Sequence, residues 1–230
     1  MSEFEAKLIT DVREVFRIAW NETKGQVVPE SKDLGLSNVG RRLTATVLYA
    51  DIDGSTRLVD EFSSQFAAEV YKAFLLCATR IIRLNGGEVR SFDGDRVMGV
   101  FIGDAKNSSA AKAGLQINYA VKRIIRPALK NQYSATNYEL RHTVGIDTSD
   151  MLVVRSGIRN NNDLVWVGSA ANHAARMNSL SSDYPTRISS AVFSMLNDTS
   201  KYGGNPKRLM WTSADWNGKT IYRSTWHWSP

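Results

Sequence analysis

Two aspartates lie where a pair of acids can bind cations. Asp51 ends an apolar, β-branched run that predicts a buried strand, and Asp95 lies in an Asp-Gly-Asp turn that indicates a hairpin. If the hairpin pairs beside that strand, the two carboxylates converge and repel each other unless a cation lies between them. Oxygen ligands suit Mg²⁺ or Mn²⁺, and a pair of such ions is the usual device for phosphoryl transfer.

Neighbouring residues leave the ligand set open. Asp53 and Asp93 are acidic too, and spacing does not exclude them as ligands. The backbone carbonyl of Ile52 follows Asp51 and is a further candidate oxygen. Taken singly, an aspartate at a strand end or in a turn is most often structural, so the prediction depends on the pair.

A second group of candidate residues lies in the segment from Gly168 to Arg176. Asn172 and Arg176 are four residues apart, so they share one face of a predicted helix, and alanines around them allow another surface to approach closely. An amide and a guanidinium that point together into a cleft are suited to holding a ribose and a developing phosphorane charge. The alternative is a solvated helix face. His173 points elsewhere, and we expect it to be hydrogen-bonded or exposed and not a ligand.

The hydrophobic pattern predicts an α+β fold. In chain order it predicts a helix over Ser2–Trp20, a connecting loop over Gly25–Arg42, a strand over Leu43–Asp51, a helix that buries Phe66, Val70, Phe74, Cys77 and Ile81 and stops at Asn85-Gly86-Gly87, strands over Glu88–Phe92 and Arg96–Ile102, a helix over Ser108–Lys130 that ends or bends near Pro127, strands over Glu139–Asp147, Leu152–Arg155 and Leu164–Val167, a helix over Ser169–Leu180, and terminal strands turning at Asn217-Gly218. This order is that of a ferredoxin-like (split βαβ) sandwich, with helices on one face of an antiparallel sheet. The domain prediction is a helix over 1–24, a loop over 25–42 and one catalytic domain over 43–230.

Composition narrows the class of protein. The chain has 230 residues, 43% of them hydrophobic, and its single cysteine, Cys77, excludes a disulfide framework and a cysteine-based zinc site. A net charge of +6 favours anionic partners, but the basic residues are scattered, which argues against a stable nucleic-acid complex. No apolar run approaches the roughly 20 residues that span a bilayer. A cytoplasmic protein without a membrane partner is the expectation.

Together these segments resemble the class III nucleotidyl cyclases. The first motif is Leu48–Thr56, the second is Gly86–Val89 followed by Gly94–Phe101, and the third comprises Gly168, Asn172 and Ala174–Arg176. The resemblance runs from about Leu43 to Arg176. Three separated motifs in the right order are far more specific than any one of them.

The resemblance implies a role for each motif residue. Asp51 and Asp95, with the carbonyl of Ile52, would bind two divalent metals, Mn²⁺ or Mg²⁺. Asn172 would orient the ribose, and Arg176 would stabilise the transition state. In this family the metal-binding acids and the Asn/Arg helix come from different subunits, so the resemblance implies a homodimer with shared active sites. All four positions are filled, so we do not expect a degenerate domain.

Departures from the family pattern bear on the substrate. Adenylate cyclases usually have a lysine where Ser91 stands and an Asp or Thr where Val165 stands; guanylate cyclases use Glu and a small polar residue there. Neither pattern fits. Tyr49 and the turn containing Asp93 instead look like the bacterial pyrimidine cyclases of anti-phage (Pycsar) systems, with Tyr49, Ser91 and Asp93 as base-pocket candidates. Loss of a base's hydrogen-bond partner can cost several orders of magnitude in specificity.

The resemblance therefore implies a uridylate cyclase that converts UTP to 3′,5′-cyclic UMP and pyrophosphate. It also implies that the product acts on a separate effector during phage infection. A cytidylate cyclase acting on CTP is the next alternative, then an adenylate or guanylate cyclase. A nucleic-acid-binding ferredoxin-like module is the least favoured, because the predicted central strand offers Tyr49 but no aromatic-rich, basic signature. Lys219, in a late strand, is a further candidate contact to the triphosphate.

Overall fold

The computed structural model describes residues 1–230. The helices are α1 Glu3–Arg17, α2 Ser55–Glu61, α3 Ser64–Leu84, α4 Lys106–Tyr119, α5 Arg126–Gln132, α6 Ser169–Asn178, α7 Ser190–Ser194 and α8 Asp198–Lys201. The strands are β1 Asn21–Lys24, β2 Val39–Asp53, β3 Glu88–Asp93, β4 Arg96–Phe101, β5 Arg141–Ile158, β6 Asn161–Val167, β7 Thr186–Ser189, β8 Tyr202–Gly203, β9 Arg208–Leu209, β10 Thr212–Trp216 and β11 Lys219–Ser224. A 3₁₀ turn covers Ser31–Asp33, and a π-helical turn over Ala120–Ile125 separates α4 from α5. No helix combines the length and apolarity needed to cross a membrane.

The chain divides into two compact units, and the smaller consists of residues 1–44 and 150–168. In this unit β1 pairs in parallel with the first residues of β2, and the end of β5 pairs with β6 in an antiparallel hairpin. Ser2 caps the N-terminus of helix α1, because its hydroxyl accepts a hydrogen bond from the Glu5 backbone N–H. None of its residues is buried.

The larger unit, residues 45–149 and 169–230, contains Asp51, Asp95, Asn172 and Arg176, the residues predicted to bind metal or to act in catalysis. Its sheet has the order β10-β11-β7-β5-β2-β4-β3. The four strands β5-β2-β4-β3, with α3 and α4 as crossovers, have the ferredoxin-like order, so the predicted fold class is confirmed. The sheet is mixed and not purely antiparallel, because β7 runs parallel to β5.

The core of this larger unit forms where α3 and α4 pack against the sheet. Its largest fully buried side chains come from both layers: Leu48, Phe74, Ile82, Phe101, Leu115, Ile117 and Ile146. Glycines allow close packing here. A Cβ at Gly99 would lie 2.9 Å from the Ile82 side chain, so α3 can approach β4 only over a glycine. Burial of these side chains, each worth about 1.5–3 kcal/mol, stabilises the layer that carries the site.

Several predicted elements need correction. The segment predicted as a connecting loop, Gly25–Arg42, ends inside a strand, because β2 begins at Val39. The two strands predicted over Glu139–Asp147 and Leu152–Arg155 are one strand, β5. Helix α2 was not predicted. The interruption expected near Pro127 is present, with the proline in the first turn of α5 after the π-helical turn.

His142, at the start of β5, gives the larger unit an acid-sensitive point. The residue is 3% exposed, and its ring lies 6.1 Å from that of Phe74. Burial, and then the charges of Arg126 and Lys122, lower the pKa of His142 from 6.5 to about 3. The folded protein therefore keeps this imidazole neutral at a pH where the unfolded chain protonates it.

We expect acid to destabilise the fold through His142. Above pH 6.5 neither state binds the proton; as the pH falls from 6.5 towards 3 only the unfolded state does, so the free energy of unfolding drops by about 1.4 kcal/mol per pH unit. Urea unfolding of the wild type and of His142→Gln between pH 7 and 4 measures this. The slope against pH should be shallower for the variant by that amount, whatever its absolute stability. Parallel slopes would contradict the prediction.

Candidate active site

The hairpin of β3 and β4 brings Asp95 beside the end of β2. Ala50 of β2 pairs with Val97 of β4 in antiparallel register, and Asp93 pairs with Arg96 across the turn. Asp95 therefore lies in the two-residue turn between β3 and β4, and this turn is beside the end of β2 that carries Asp51. Gly94, at φ +61°, takes the left-handed conformation that this tight turn needs and that a glycine adopts without strain.

The two carboxylates are close enough to perturb each other. Burial, followed by the charge of Asp95 and a hydrogen bond to it, raises the pKa of Asp51 to about 7. The Oδ2 atom of Asp95 is buried and has no hydrogen-bond partner. Two carboxylates in mutual repulsion, with an unsatisfied buried oxygen, fit a bound divalent cation. No cluster of three or more acidic, histidine or cysteine side chains forms a complete cage.

The two alternative acids are already engaged. Asp53 is exposed, accepts a hydrogen bond from the Ser182 hydroxyl, and has an ion pair of 3.8 Å with Arg141. Asp93 forms an ion pair of 2.6 Å with Arg96. Their positive partners favour Asp51 and Asp95 as the metal ligands. The Ile52 carbonyl stays a predicted ligand; the Ile52 N–H donates to Asp51 Oδ1 at 3.1 Å.

Two of the three predicted base-pocket residues, Tyr49 and Ser91, lie in one row of the sheet, whereas Asp93 lies at the turn and pairs with Arg96. Tyr49 pairs with Met98, and Met98 pairs with Ser91, so the three side chains face the same side of three adjacent strands. The Tyr49 hydroxyl lies 3.3 Å from the Met98 sulfur, a weak acceptor. Burial raises the pKa of Tyr49, so its hydroxyl is a donor near neutral pH. The Tyr49 hydroxyl can therefore donate to a stronger acceptor, such as a carbonyl oxygen, and lose only a weak hydrogen bond to sulfur.

Arg96 contacts two of the predicted base-pocket residues, Tyr49 and Asp93, and the sequence prediction gave it no role. Its guanidinium lies 5.2 Å from the Tyr49 ring centroid and is also held by Asp93. These contacts bring a cation to the side of the sheet that carries Tyr49 and Ser91. The signal was its position directly after Asp95 and two residues before Met98, which puts it on the same face of β4 as the Tyr49 row.

Helix α6 carries the second predicted pair. The helix packs tightly on β5, where a Cβ on Gly145 would lie 2.1 Å from the Ala174 carbonyl oxygen. Asn172 and Arg176 lie on its exposed side, as their spacing predicts. The Arg176 guanidinium lies 5.6 Å from the ring centroid of Trp216. No hydrogen bond or ion pair within the chain joins either residue to Asp51 or Asp95.

Lys219 is brought to the same helix by the β10–β11 hairpin. It is exposed, and its Nζ lies 3.4 Å from His173 Nε2. His173 Nδ1 lies 2.9 Å from Asp147 Oδ2, so the prediction of a hydrogen-bonded histidine is confirmed. The sequence prediction missed Asp147 and Trp216 as neighbours of the site. Asp147 could have been noticed as an acid at the end of the strand predicted over Glu139–Asp147.

The fold defines the class of protein. The crystal structure of the guanylyl cyclase Cya2 matches with a TM-score of 0.68 at 19% identity, covering 83% of this chain and 96% of that one. The adenylyl cyclase CyaB from P. aeruginosa matches with a TM-score of 0.66 at 21% identity, over 80% of this chain and 95% of that one. The chain thus has the class III nucleotidyl cyclase fold. Guanylyl and adenylyl cyclases share it, so the fold does not identify the base.

Closer relatives identify the family. A uridylate cyclase of Xanthomonas perforans is 46% identical over 226 residues, covering 96% of each chain. A uridylate cyclase of Burkholderia cepacia is 47% identical over 222 residues, covering 95% of each. No protein-family model matches the sequence. At this identity over nearly the whole length, the chain belongs to the uridylate cyclase family of class III nucleotidyl cyclases.

Proposed function

We propose that this chain converts UTP to 3′,5′-cyclic UMP and pyrophosphate. The observation that carries the proposal is the Asp51–Asp95 carboxylate pair, buried enough to raise the pKa of Asp51 to about 7, in a chain nearly half identical to uridylate cyclases. Such a pair favours binding of divalent cations. A nucleoside triphosphate is a substrate whose negative charges those cations would bind.

The reaction is an in-line displacement at the α-phosphorus. The ribose 3′-oxygen releases its proton to solvent water and forms a bond to the α-phosphorus, while the bond from that phosphorus to the bridging oxygen breaks and pyrophosphate leaves with its electron pair. Arg176 contacts the charge that builds on the phosphoryl oxygens, with five N–H donors in a fixed fork. Asn172, one turn away on α6, holds the ribose so that the 3′-oxygen stays aligned.

Two divalent metal ions, Mn²⁺ or Mg²⁺, fit the acidic end of the site. Asp51 and Asp95 would hold them, with the Ile52 carbonyl as a further oxygen ligand. When bound, such ions lower the pKa of the attacking hydroxyl and neutralise the triphosphate. The unpartnered Oδ2 of Asp95 supports this assignment, because a buried carboxylate oxygen without a donor is costly unless a cation satisfies it.

We propose that the complete site forms between two copies of the chain. Asn172 and Arg176 are exposed and have no bond to the acids of their own chain, as expected if they face the acids of a partner. A two-fold symmetric dimer places the same pair of surfaces together twice, which gives two equivalent sites. We expect the isolated chain to lack turnover.

Selection of uracil is assigned to the sheet face with Tyr49 and Ser91. The Tyr49 hydroxyl has only a sulfur acceptor, so it can donate to a carbonyl of a small base. A lysine at Ser91 would read an adenine edge, and none is present. CTP stays the alternative substrate. We further propose, from the resemblance to anti-phage cyclases, a cytoplasmic enzyme whose product activates a separate effector.

Product analysis tests the proposed function. The purified protein with Mn²⁺ is incubated separately with ATP, GTP, CTP and UTP, and the products are identified by mass. We expect cyclic UMP and pyrophosphate from UTP, with the other three nucleotides turned over at least about tenfold more slowly. Cyclic CMP as the main product would favour the alternative, and cyclic AMP or GMP would overturn the assignment of the base pocket. A dead variant, Asp95→Asn, is the control for contaminating cyclase.

A further inference from the structure

Three side chains form a line from the sheet to the surface beside the candidate catalytic helix. Asp147 on β5 is buried, and both its oxygens are bound: Oδ1 accepts from the Thr148 N–H at 2.8 Å, and Oδ2 lies 2.9 Å from His173 Nδ1. On the other side of the ring, His173 Nε2 lies 3.4 Å from Lys219 Nζ. The line thus ends at an exposed ammonium group.

Both neighbours of His173 require the same tautomer. A carboxylate only accepts hydrogen bonds, so Nδ1 must carry the proton that it donates to Asp147. An ammonium only donates, so Nε2 must present its lone pair to Lys219. The two requirements are independent, and together they define a neutral imidazole with the proton on Nδ1.

Trp216 contacts the residues around His173 on the surface of helix α6. It is paired with Lys219 across the β10–β11 turn, its ring meets the His173 ring edge-on at 5.8 Å, and the Arg176 guanidinium lies over it at 5.6 Å. The β10–β11 hairpin therefore contacts Arg176 through the face of the Trp216 ring, and it carries Lys219, which contacts His173.

We propose that Asp147 and His173 are positioning residues that hold the Lys219 ammonium ready for the triphosphate of the nucleotide. The inference rests on the proposed function, because it takes Lys219 as a phosphate contact. A free lysine loses considerable rotamer freedom when it binds, and a partner that fixes it beforehand reduces that loss.

The choice of a histidine between the acid and the lysine has a physical reason. A carboxylate placed directly on Lys219 would neutralise the charge that must attract phosphate. A neutral imidazole accepts a hydrogen bond from the ammonium and orients it, yet leaves its positive charge uncancelled. The negative charge of Asp147 stays one ring further away and buried, where it fixes the tautomer.

Steady-state kinetics on UTP test the coupling. Lys219→Ala should raise KM by roughly tenfold and leave kcat within about twofold, as expected for loss of a ground-state phosphate contact. His173→Ala should raise KM by a smaller factor, and it should have no further effect in the Lys219→Ala background. His173→Gln, which can still donate to Asp147 and accept from Lys219, should recover most of the loss. His227→Gln, at a histidine outside this line, is the control and should match the wild type.

The tautomer provides a readout that does not depend on activity. Long-range ¹H–¹⁵N NMR of the wild type should show His173 with its proton on Nδ1. Asp147→Asn can donate to Nδ1, so the proton should move to Nε2 and face the ammonium of Lys219, raising KM as well. A wild-type proton on Nε2, or independent effects of His173→Ala and Lys219→Ala, would overturn the inference.

Calorimetric binding of UTP with Ca²⁺ separates this inference from the proposed reaction. If the wild type binds UTP, shows the same coupling between His173 and Lys219, and yet releases no cyclic UMP, the positioning role stands and the proposed reaction is wrong. If cyclic UMP forms but Lys219→Ala changes neither KM nor the dissociation constant, the reaction stands and the positioning role is wrong.

Discussion

Asp51→Asn should reduce cyclic UMP formation by at least about 10³-fold, because the amide removes one of the two charges that hold the metal ions. The same change should stabilise the metal-free protein at neutral and alkaline pH. The stability effect follows because burial, and then the charge of Asp95, disfavour the ionised form of the Asp51 carboxylate. The two carboxylates destabilise the metal-free protein, and a bound divalent cation would offset that destabilisation.

The sign of the stability effect is fixed by the direction of the pKa shift. The folded state raises the pKa of Asp51 from 3.8 to about 7, so it holds this proton more tightly than the unfolded state does. The stabilising contribution is complete below about pH 4 and is lost as the pH rises through 7. Because Asp51 is only partly buried, solvent screening reduces the effect to about 1–2 kcal/mol, less than the full shift would give.

Urea unfolding in EDTA at pH 5 and pH 8 measures this contribution. The wild type should lose stability between the two values relative to Asp51→Asn, and Mn²⁺ should restore it in the wild type alone. Asp60→Asn, at an exposed acid on α2, is the matched control and should follow the wild type in both activity and stability. Equal pH dependence of the wild type and Asp51→Asn would show that the fold does not raise the pKa of Asp51.

Local patterns along the sequence predicted the strand and the hairpin that carry the proposed metal ligands. The run before Asp51 is apolar and β-branched, and the Asp93-Gly94-Asp95 turn is a short-range signal, so both were predictable from neighbouring residues. The pairing of the hairpin with β2 then follows from the ferredoxin-like order. The helical spacing of Asn172 and Arg176 is equally local.

The failures have non-local causes. The polar segment at Thr148 to Asp150 looks like a turn, yet β5 continues through it. The Thr148 hydroxyl donates to the Ala45 carbonyl at 3.2 Å, and Asp150 accepts from the Thr44 hydroxyl, so residues of strand β2 satisfy these polar groups. Such contacts join residues more than a hundred positions apart, which no window along the sequence can capture.

The same holds for the surroundings of His173. Its partner Asp147 precedes it by 26 residues, and Lys219 follows it by 46. Each residue alone is an ordinary strand or helix residue, and only the packing of α6 between β5 and the β10–β11 hairpin gives the line its direction. Motifs therefore revealed the residues expected to touch the reacting atoms, whereas those that position them required the structure.

Arg176→Ala should lower kcat by roughly 10²–10³ with a small change in KM, the effect of removing one charged contact made chiefly in the transition state. The guanidinium is already held over Trp216, so its loss removes an oriented group and not a mobile one. Arg176→Lys retains the charge but not the planar fork, and should recover only part of the loss. The midpoint of thermal unfolding should stay near that of the wild type, because Arg176 is exposed.

Mixing the two inactive variants tests whether the site is shared between subunits. In a dimer of one Asp51→Asn chain and one Arg176→Ala chain, one site receives both intact residues and the other receives both defects. Random exchange makes half of the dimers mixed, so activity should recover to about a quarter of the wild-type value. The measurement is cyclic UMP formation after the variants are unfolded together and refolded, with each variant refolded alone as the control. If the mixture were no more active than the two variants refolded alone, each site would take Asp51, Asp95, Asn172 and Arg176 from a single chain.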